Sequence, residues 1–268
     1  MIKLSIIYNN EKESAIKIYK ELSEFLKDKK EFEILDEENL DKVDYIVIIG
    51  GDGTLLRAFR NIKNKKAKII AINSGTLGYL TEIRKDKYKE IFENILKNKV
   101  NIEERFFFMV NIGNKKYKAL NEVFLTRDTI KRNIVASEIY VNDQFLGKFK
   151  GDGVIISTPT GSTAYSVASG GPILDPTVSA FVLTPMAPFS LSNRPIVLPS
   201  SGRIKIETPQ LKHSNISLLS DGQKLLTLKK DDVICITESQ HKALLADCSP
   251  MKFYSALNSK LGWQGSVL

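Results

Sequence analysis

The first hundred residues alternate between short apolar runs and longer stretches with apolar residues at every third or fourth position. The short runs are rich in β-branched residues, which predicts buried strands at 1–8, 32–35, 43–49 and 68–72. The longer stretches predict amphipathic helices at 15–26, 55–62 and about 87–97. Strands that alternate with helices in this way are typical of a parallel α/β sheet.

Beyond about residue 100 the pattern changes to a succession of short strands, among them 117–126 and 233–237. Turn residues predict hairpins at Gly113-Asn114, Asn142-Asp143 and Asp221-Gly222-Gln223. Helical spacing returns after Pro250. The predicted fold class is therefore α/β plus β. It has an N-terminal doubly wound α/β domain over 1–100, joined by segment 250–268, and a β-rich domain over 101–249.

Composition places the chain among ordinary globular proteins. Of its 268 residues, 43% are hydrophobic and 26% charged, and the net charge is +8. The lysine clusters at 27–30 and 63–68 lack interleaved aromatic residues, so a solvated basic surface that attracts anionic metabolites is favoured over nucleic-acid binding.

Targeting and redox signals are weak. No run approaches membrane-spanning length, and the first eight residues read as a strand rather than a signal peptide. Cys235 and Cys248 are widely spaced in apolar segments, which predicts buried thiols rather than a disulfide. His213 and His241 are the only histidines, so a histidine metal site is not expected. We expect a cytoplasmic protein without a membrane partner.

The stretch Gly50-Gly51-Asp52-Gly53-Thr54 places one carboxylate among glycines, between a predicted strand and a predicted helix. Glycines let backbone N–H groups approach a phosphate closely, and a helix N-terminus favours the anion further. Thr54 or Asp52 would be the N-cap of the helix. An ionised Asp52 about 4 Å from a phosphate would cost roughly 4 kcal/mol at an effective dielectric near 20. Mg²⁺, a general-base role for Asp52, or both are therefore expected.

Other stretches add polar groups suited to a nucleotide. Residues 157–163 contain five hydroxyl side chains before a short predicted helix, and Lys150 and Asp152 precede them. Hydroxyls and free N–H groups at a helix start can hold phosphate or ribose. Asn121 and Glu122 could engage two vicinal hydroxyls. A second glycine turn, residues 73–80, follows the next predicted strand.

Together these motifs resemble the NAD kinase family over essentially the whole chain. The stretch 50–54 alone is shared with diacylglycerol, sphingosine and phosphofructo-kinases. The family is indicated by the order Asn73-x-Gly75-x-x-Gly78-Tyr79-Leu80, Asn121-Glu122, Gly151-Asp152-Gly153 and the run from Ser157 to Tyr165. The resemblance implies Mg²⁺-dependent transfer of the γ-phosphate of ATP to the 2′-hydroxyl of the adenosine ribose of NAD, forming NADP, in a homodimer or homotetramer.

The resemblance also implies roles for individual residues. Asp52 would be the proton acceptor and help to hold the metal, and Asp152 would reach the nicotinamide end, across a subunit boundary in an oligomer. Phosphate-contacting residues would be Gly50, Gly51 and Thr54. The residues that contact the dinucleotide would be Gly53, Asn121, Glu122, Arg132, Lys150, Asp152, Thr163, Ala164, Tyr165, Ser166 and Gln223.

Two alternatives stay open on the sequence. A lipid kinase of the diacylglycerol type would share the first motif, although the hydroxyl-rich run is not expected there. A non-catalytic sensor of NAD or NADP would use the same pocket without chemistry, and the presence of Asp52 argues against it.

Overall fold

The computed structural model describes residues 1–76, 78–81, 83–127, 134–209, 216–229, 231–246 and 250–262. This part of the chain divides into two compact units. The first is Met1–Glu104 together with the segment from Lys242 onward, and the second is Arg105–His241. Arg132, His213, Cys248 and Trp263 lie outside the described residues.

The elements of the first unit are β1 (Ile2–Tyr8), α1 (Glu13–Lys27), β2 (Phe32–Ile34), β3 (Tyr45–Gly50), α2 (Asp52–Asn61), β4 (Lys68–Asn73) and α3 (Tyr88–Leu96). It is an α/β unit with a parallel sheet in the order β2-β1-β3-β4. All six residues of β3 are buried, as expected for a strand covered on both faces. These strands and helices confirm the predicted elements.

One face of this sheet is covered by α1 and α3. Ile18 and Leu22 of α1 and Phe92 of α3 form one cluster with Val47 and Ile49 of β3. Helix α2 begins directly after β3, so the glycine turn between them lies at the carboxyl edge of the parallel strands. Ligands of open parallel sheets bind at this edge.

The second unit is predominantly β. Its strands are β5 (Ile102–Ile112), β6 (Lys115–Ala119), β7 (Glu122–Arg127), β8 (Val135–Val141), β9 (Gln144–Gly151), β10 (Gly153–Ser157), β11 (Ala180–Met186), β12 (Ile196–Pro199), β13 (Ile204–Glu207), β14 (Ile216–Ser220), β15 (Gln223–Thr227) and β16 (Val233–Ala246). A short helix, α4 (Tyr165–Ala168), follows a 3-10 turn at Thr160–Thr163.

Two antiparallel arrangements build this unit. One sheet has the order β12-β11-β10-β7-β14-β15, and the other has β16, β13, β8 and β9 side by side, with β5 joined to β16 and β6. Alternate residues of both, such as Val154 and Ile156 of β10 and Ile204 and Ile206 of β13, share one core. The period of two places their neighbours, Ile155 among them, in a smaller cluster on the opposite face.

Some sequence expectations were wrong in this unit. The strand predicted over 117–126 is two strands, β6 and β7, which lie in different sheets. Strand β16 continues to Ala246, beyond its predicted end at residue 237. The prediction was too short because the polar residues 238–242 interrupt the apolar pattern. Cys235 is a free thiol and is half-buried, not buried. The three predicted hairpins are confirmed.

The C-terminal segment belongs to the first unit. Leu244 and Leu245, at the end of β16, pair in parallel with Lys68 and Ile69 of β4. Helix α5 (Pro250–Leu261) follows. Among the described residues, no helix combines the length and apolar character needed to cross a bilayer.

Candidate functional site

Asp52 is the first residue of helix α2, and Gly51 is the N-cap in an extended conformation, with φ −106° and ψ −177°. The predicted N-cap, Asp52 or Thr54, is therefore wrong, and Gly51 has no side chain with which to cap this helix. The Asp52 side chain is directed to another partner. Its carboxylate binds the second glycine turn, 27 to 29 residues further along the chain.

Four hydrogen bonds hold the Asp52 carboxylate. The backbone N–H of Tyr79 donates to Oδ2 over 2.8 Å. The N–H groups of Leu80 and Thr81 donate to Oδ1 over 3.1 and 2.9 Å, and the Thr81 hydroxyl donates to the same oxygen over 2.9 Å. Among the residues that the structure describes, Oδ1 accepts three hydrogen bonds and is saturated, whereas Oδ2 accepts one and keeps a lone pair.

Two glycines make this arrangement possible. A β-carbon on Gly78 would overlap the Asp52 carboxylate and the Thr81 hydroxyl, and one on Gly50 would overlap the Thr54 side chain. Gly51 and Gly53 have open space on that side, which leaves room for a ligand at the start of α2. From the sequence, the glycines were expected to let a phosphate approach the backbone. At Gly50 and Gly78, the missing β-carbon instead makes room for other groups of the protein.

Asn73 organises the second turn and was missed as a functional residue. Its Nδ2 donates to the Thr76 carbonyl over 2.8 Å and to the Thr81 hydroxyl over 2.9 Å, and its Oδ1 accepts from the Gly75 N–H over 2.6 Å. Thr81 consequently accepts from Asn73 and donates to Asp52. The only signal in the sequence was the position of Asn73 at the start of the Asn73-x-Gly75 motif.

The ring of Tyr79 contacts helix α5. Its centroid lies 6.3 Å from that of Phe253, and the Lys260 ammonium lies 4.3 Å from the centre of the Tyr79 ring. Burial, together with the nearby Asp52 charge, raises the pKa of the Tyr79 hydroxyl. The aromatic side chain therefore anchors the turn whose N–H groups bind Asp52.

A cavity of about 390 Å³ opens in the first unit at the end of β1. Because the sheet order is β2-β1-β3-β4, the strand order reverses beside β1, where ligands of doubly wound sheets bind. Arg57 lies five residues after Asp52 on α2, about 7.5 Å along the helix axis. The lining residues are Ile7, Tyr8, Asn10, Glu37, Leu40, Arg57, Ala58 and Asn61.

In the second unit, Asn121 and Glu122 are buried polar residues at the start of β7. They are 8% and 4% exposed. Among the described residues, Asn121 Oδ1 and Glu122 Oε2 have no hydrogen-bond partner. Buried polar atoms normally have partners, so two orphaned oxygens on neighbouring residues indicate a site that receives donors from a ligand.

Glu122 is held in an unusual electrostatic environment. Burial, and then the charge of Asp221, raise the pKa of the Glu122 carboxyl to about 8. At neutral pH Glu122 is therefore mostly a neutral acid, which can donate one hydrogen bond and accept others. A donor and acceptor beside the Asn121 amide suits a pair of hydroxyl groups.

The hydroxyl-rich run is bonded mainly to its own unit. The hydroxyls of Ser157, Ser162 and Thr163 donate to backbone carbonyls, and the Thr160 oxygen accepts from Arg105. These oxygens can still accept from a ligand, so their predicted contact with phosphate or ribose stays a prediction.

The segment predicted to line the adenosine pocket, residues 163–166, has both buried and exposed side chains. Ser166 is fully buried and bonded to Thr184, so its hydroxyl is not presented to solvent. Tyr165 is 41% exposed, with its ring edge-on to Phe124. Ala164 and Thr163 are half-buried beside it.

Strand register brings three of the predicted groups together and separates two. Ser157 pairs with Glu122, and Ser220 pairs with Val123, so residues 121–122, 157–161 and 220–223 meet at one end of this sheet. Exposed Gln223 lies there. Asp152 precedes β10 and pairs with Arg127 over 3.3 Å, about 17 Å along the strands from Glu122. Exposed Lys150 is near Asp152, and Arg132 is outside the described residues.

Gly78→Ala should destabilise the first unit by about 1–3 kcal/mol, because the new methyl group displaces the Asp52 carboxylate. Urea unfolding followed by circular dichroism measures this. Gly75→Ala is the matched control, since its added methyl meets open space in the same turn, and it should change stability by less than about 0.5 kcal/mol. Equal stability of the two variants would contradict the overlap.

Glu122→Gln should alter how stability depends on pH. The native carboxyl keeps its proton up to about pH 8, while the unfolded one loses it near 4.5, so the native state binds more protons in this window and stability falls as pH rises. Each unit of displaced pKa corresponds to about 1.4 kcal/mol.

Urea unfolding at pH 5, 6.5 and 8 should therefore show the Glu122→Gln variant gaining on the parent as pH rises, by about 2 kcal/mol or more at pH 8. Glu104→Gln, at an exposed position, should follow the parental curve. A constant difference in stability between the Glu122→Gln variant and the parent across these pH values would show that Glu122 is already ionised.

Comparison with known proteins covers both halves of the chain. The model of the ATP-NAD kinase N-terminal domain matches residues 33–100, and that of the ATP-NAD kinase C-terminal domain matches residues 120–248. The chain is 61% identical over 264 residues to the NAD kinase of Fusobacterium nucleatum subsp. nucleatum, covering 98% of both proteins. It is 42% identical over 279 residues to that of Treponema denticola, covering 99% of this chain and 98% of the relative.

Solved structures share the fold. Yeast NADH kinase complexed with NADH has a TM-score of 0.90 at 23% identity, covering 100% of this chain and 89% of the yeast chain. An NAD kinase from Archaeoglobus fulgidus in complex with ATP has a TM-score of 0.79 at 24% identity, covering 97% of this chain and 99% of the archaeal one. These structures confirm the predicted fold class. With both family models matched and relatives well above 30% identity over nearly its full length, the chain belongs to the NAD kinase family.

Proposed function

We propose that the protein transfers the γ-phosphate of ATP to the 2′-hydroxyl of the adenosine ribose of NAD, with Asp52 as the catalytic residue. One observation carries the assignment of Asp52: its carboxylate is held rigidly through Oδ1, and its Oδ2 keeps a lone pair in the part of the chain that the structure describes. A fixed carboxylate with one available oxygen can accept a proton without first reorganising.

The proposed step moves one proton and one phosphoryl group. The O–H bond of the 2′-hydroxyl breaks, and its proton goes to Asp52 Oδ2. The electron pair left on the 2′-oxygen forms the new bond to the γ-phosphorus, and the bond from that phosphorus to the oxygen of ADP breaks. In phosphoryl transfer, the protein contributes mainly by positioning the reactants and stabilising charge.

The glycine turn before α2 supplies groups for the phosphates. The open space beside Gly51 and Gly53 would admit a phosphate to the backbone at the start of a ten-residue helix. Gly50 and Thr54 would act indirectly, by shaping the turn: a β-carbon on Gly50 would overlap the Thr54 side chain, and the Thr54 N–H donates to the Gly51 carbonyl over 2.9 Å.

A divalent metal is part of this proposal, and the residues fit one. Mg²⁺ is usually held by one or two carboxylates together with substrate phosphates and water. Asp52 would help to hold it indirectly, through its negative charge, because direct coordination by Oδ2 would occupy the lone pair that accepts the proton. When bound, the metal would neutralise phosphate charge.

The dinucleotide would be held by the orphaned oxygens of the second unit. Asn121 Oδ1 and Glu122 Oε2 would pair with its hydroxyl groups, because they are buried at one strand end and have no partner among the described residues. Exposed Tyr165 offers a ring face to a base, next to Thr163 and Ala164. Ser166 would act indirectly, through its bond to Thr184. Gln223 and Arg132 complete the proposed contacts.

Asp152 would reach the nicotinamide end of the dinucleotide bound to a partner subunit, and Lys150 would contact the dinucleotide. This suggestion is supported by the separation of about 17 Å along the strands between Asp152 and Glu122 within one chain. The proposal therefore includes a homodimer or homotetramer in the cytoplasm.

The cavity at the end of β1 would take the nucleoside of the donor ATP. Tyr8, Asn10 and Asn61 provide an aromatic surface and amide groups for a purine, and Arg57 provides a positive charge on the helix that begins with Asp52. To reach the start of α2, the phosphate chain of a donor bound there would have to span about 7.5 Å along the helix.

Asp52→Asn should lower kcat at least 100-fold while NAD still binds, because the amide cannot accept the proton and its NH₂ group meets a backbone N–H of residues 79–81. NADP formation from NAD, ATP and Mg²⁺ measures turnover, and calorimetry measures binding. Thr81→Val removes one hydrogen bond to Asp52 but leaves the carboxylate, so it should lower kcat less than tenfold. If the Asn variant turned over at the parental rate, Asp52 would not be the proton acceptor.

Arg57→Ala should raise the KM for ATP about 3- to 10-fold and leave the KM for NAD unchanged, since a guanidinium at a nucleotide site is worth on the order of 1 kcal/mol. Arg60→Ala is the control, because Arg60 lies on the same helix and does not line the cavity. A rise in the KM for NAD instead would assign the cavity to the acceptor.

A further inference from the structure

The carboxylate of Asp221 binds three successive backbone N–H groups at the start of β7. Asp221 Oδ2 accepts from Leu120 over 2.9 Å, and Oδ1 accepts from Asn121 over 2.8 Å and from Glu122 over 3.2 Å. The Asp221 N–H donates in return to the Glu122 carbonyl over 3.0 Å. The contacts link positions about 100 residues apart in the chain.

Asp221 is a buried carboxylate in the turn between β14 and β15. It is only 8% exposed, and its φ is +48°, a left-handed conformation that most side chains avoid. A hairpin turn alone would be served as well by asparagine or glycine. A buried carboxylate in this conformation is explained by its three donors, since hydrogen bonds to an ionised acceptor are the stronger kind.

The same segment is held from its other side by the hydroxyl-rich run. The Thr158 hydroxyl donates to the Leu120 carbonyl over 2.7 Å, and the Thr158 N–H donates to the Asn121 carbonyl over 2.8 Å. A β-carbon on Gly161 would overlap the backbone of Asn121. The main chain of residues 120–122 is thus saturated with hydrogen bonds, while Asn121 Oδ1 and Glu122 Oε2 stay unpartnered among the described residues.

We propose that Asp221 is a positioning residue for the dinucleotide: its carboxylate fixes the backbone of residues 120–122, so that the side chains of Asn121 and Glu122 are held ready for the hydroxyl groups of NAD. The role rests on the proposed function. It depends on the contact of the orphaned oxygens with the dinucleotide, and it is separate from the chemistry at Asp52.

Asp221 acts on Glu122 through its charge as well. Its negative charge adds to burial in raising the pKa of the Glu122 carboxyl. Burial, the larger cause, and the Asp221 charge together keep Glu122 in the neutral form, which has an O–H to donate. Hydrogen bonds to the backbone and this electrostatic effect come from the same two oxygens, so a single substitution alters both.

The test is Asp221→Asn in the full chain. Asparagine keeps the shape and tolerates the left-handed φ, but its NH₂ group replaces one acceptor and faces backbone donors. The expected result is a KM for NAD raised about 10- to 100-fold, with the KM for ATP unchanged within about twofold. Asp231→Asn is the matched control, because Asp231 also has a positive φ, +70°, and is exposed in a different turn. It should behave as the parent.

A second readout separates positioning from a general loss of structure. Removing the Asp221 charge lowers the pKa of Glu122, so the pH dependence of NAD affinity should shift to lower pH in the Asp221→Asn variant. It should disappear in Glu122→Gln. An unchanged pH dependence together with the parental NAD affinity would overturn the proposal.

NAD affinity measured by calorimetry distinguishes failure here from failure of the proposed function. If the parent binds NAD but forms no NADP, the kinase proposal fails, and weakened binding by the Asp221→Asn variant still supports positioning. Should that variant not fold, Asp221→Glu retains the charge and displaces it by one methylene. Weaker NAD binding by the folded Asp221→Glu variant would support the proposal, and the parental affinity would overturn it.

Discussion

The structure depends on one interaction that occurs in each of its two units: an aspartate carboxylate accepts hydrogen bonds from three successive backbone N–H groups of a distant loop. Asp52 binds residues 79–81, and Asp221 binds residues 120–122. Such charge-assisted bonds are stronger than neutral ones. Each carboxylate fixes the backbone of a short segment that lies next to side chains with available polar atoms.

These carboxylates explain why particular glycines are needed. Gly78 leaves room for the Asp52 carboxylate, and Gly161 leaves room for the backbone of Asn121. Gly51, Gly53 and Gly75 have open space instead. The glycines of one motif therefore divide into those that accommodate the protein itself and those that leave space for a ligand, a distinction that their spacing along the chain does not reveal.

The sequence predicted much of the fold, since apolar periodicity reports burial directly. Strand β3, with six buried residues, and the hairpin at Asn142-Asp143, where both residues have positive φ, follow from local patterns. The motifs also led to the family. Local patterns failed where a polar stretch continued a strand, as in β16, and where a side chain had a remote partner. Asp52 was expected to cap its own helix, and Asp221 to serve a turn, because partners 27 or 100 residues away leave no periodic signal.

Binding through main-chain donors has an evolutionary consequence. Any amino acid except proline carries the required N–H, so the carboxylate-binding segments 79–81 and 120–122 place few demands on side-chain identity. Leu120 and Leu80 are free to drift to other residues that their packing allows, whereas proline is barred from all six positions. Divergent relatives can thus retain both sets of hydrogen bonds to the aspartates while their sequences in these segments no longer look alike.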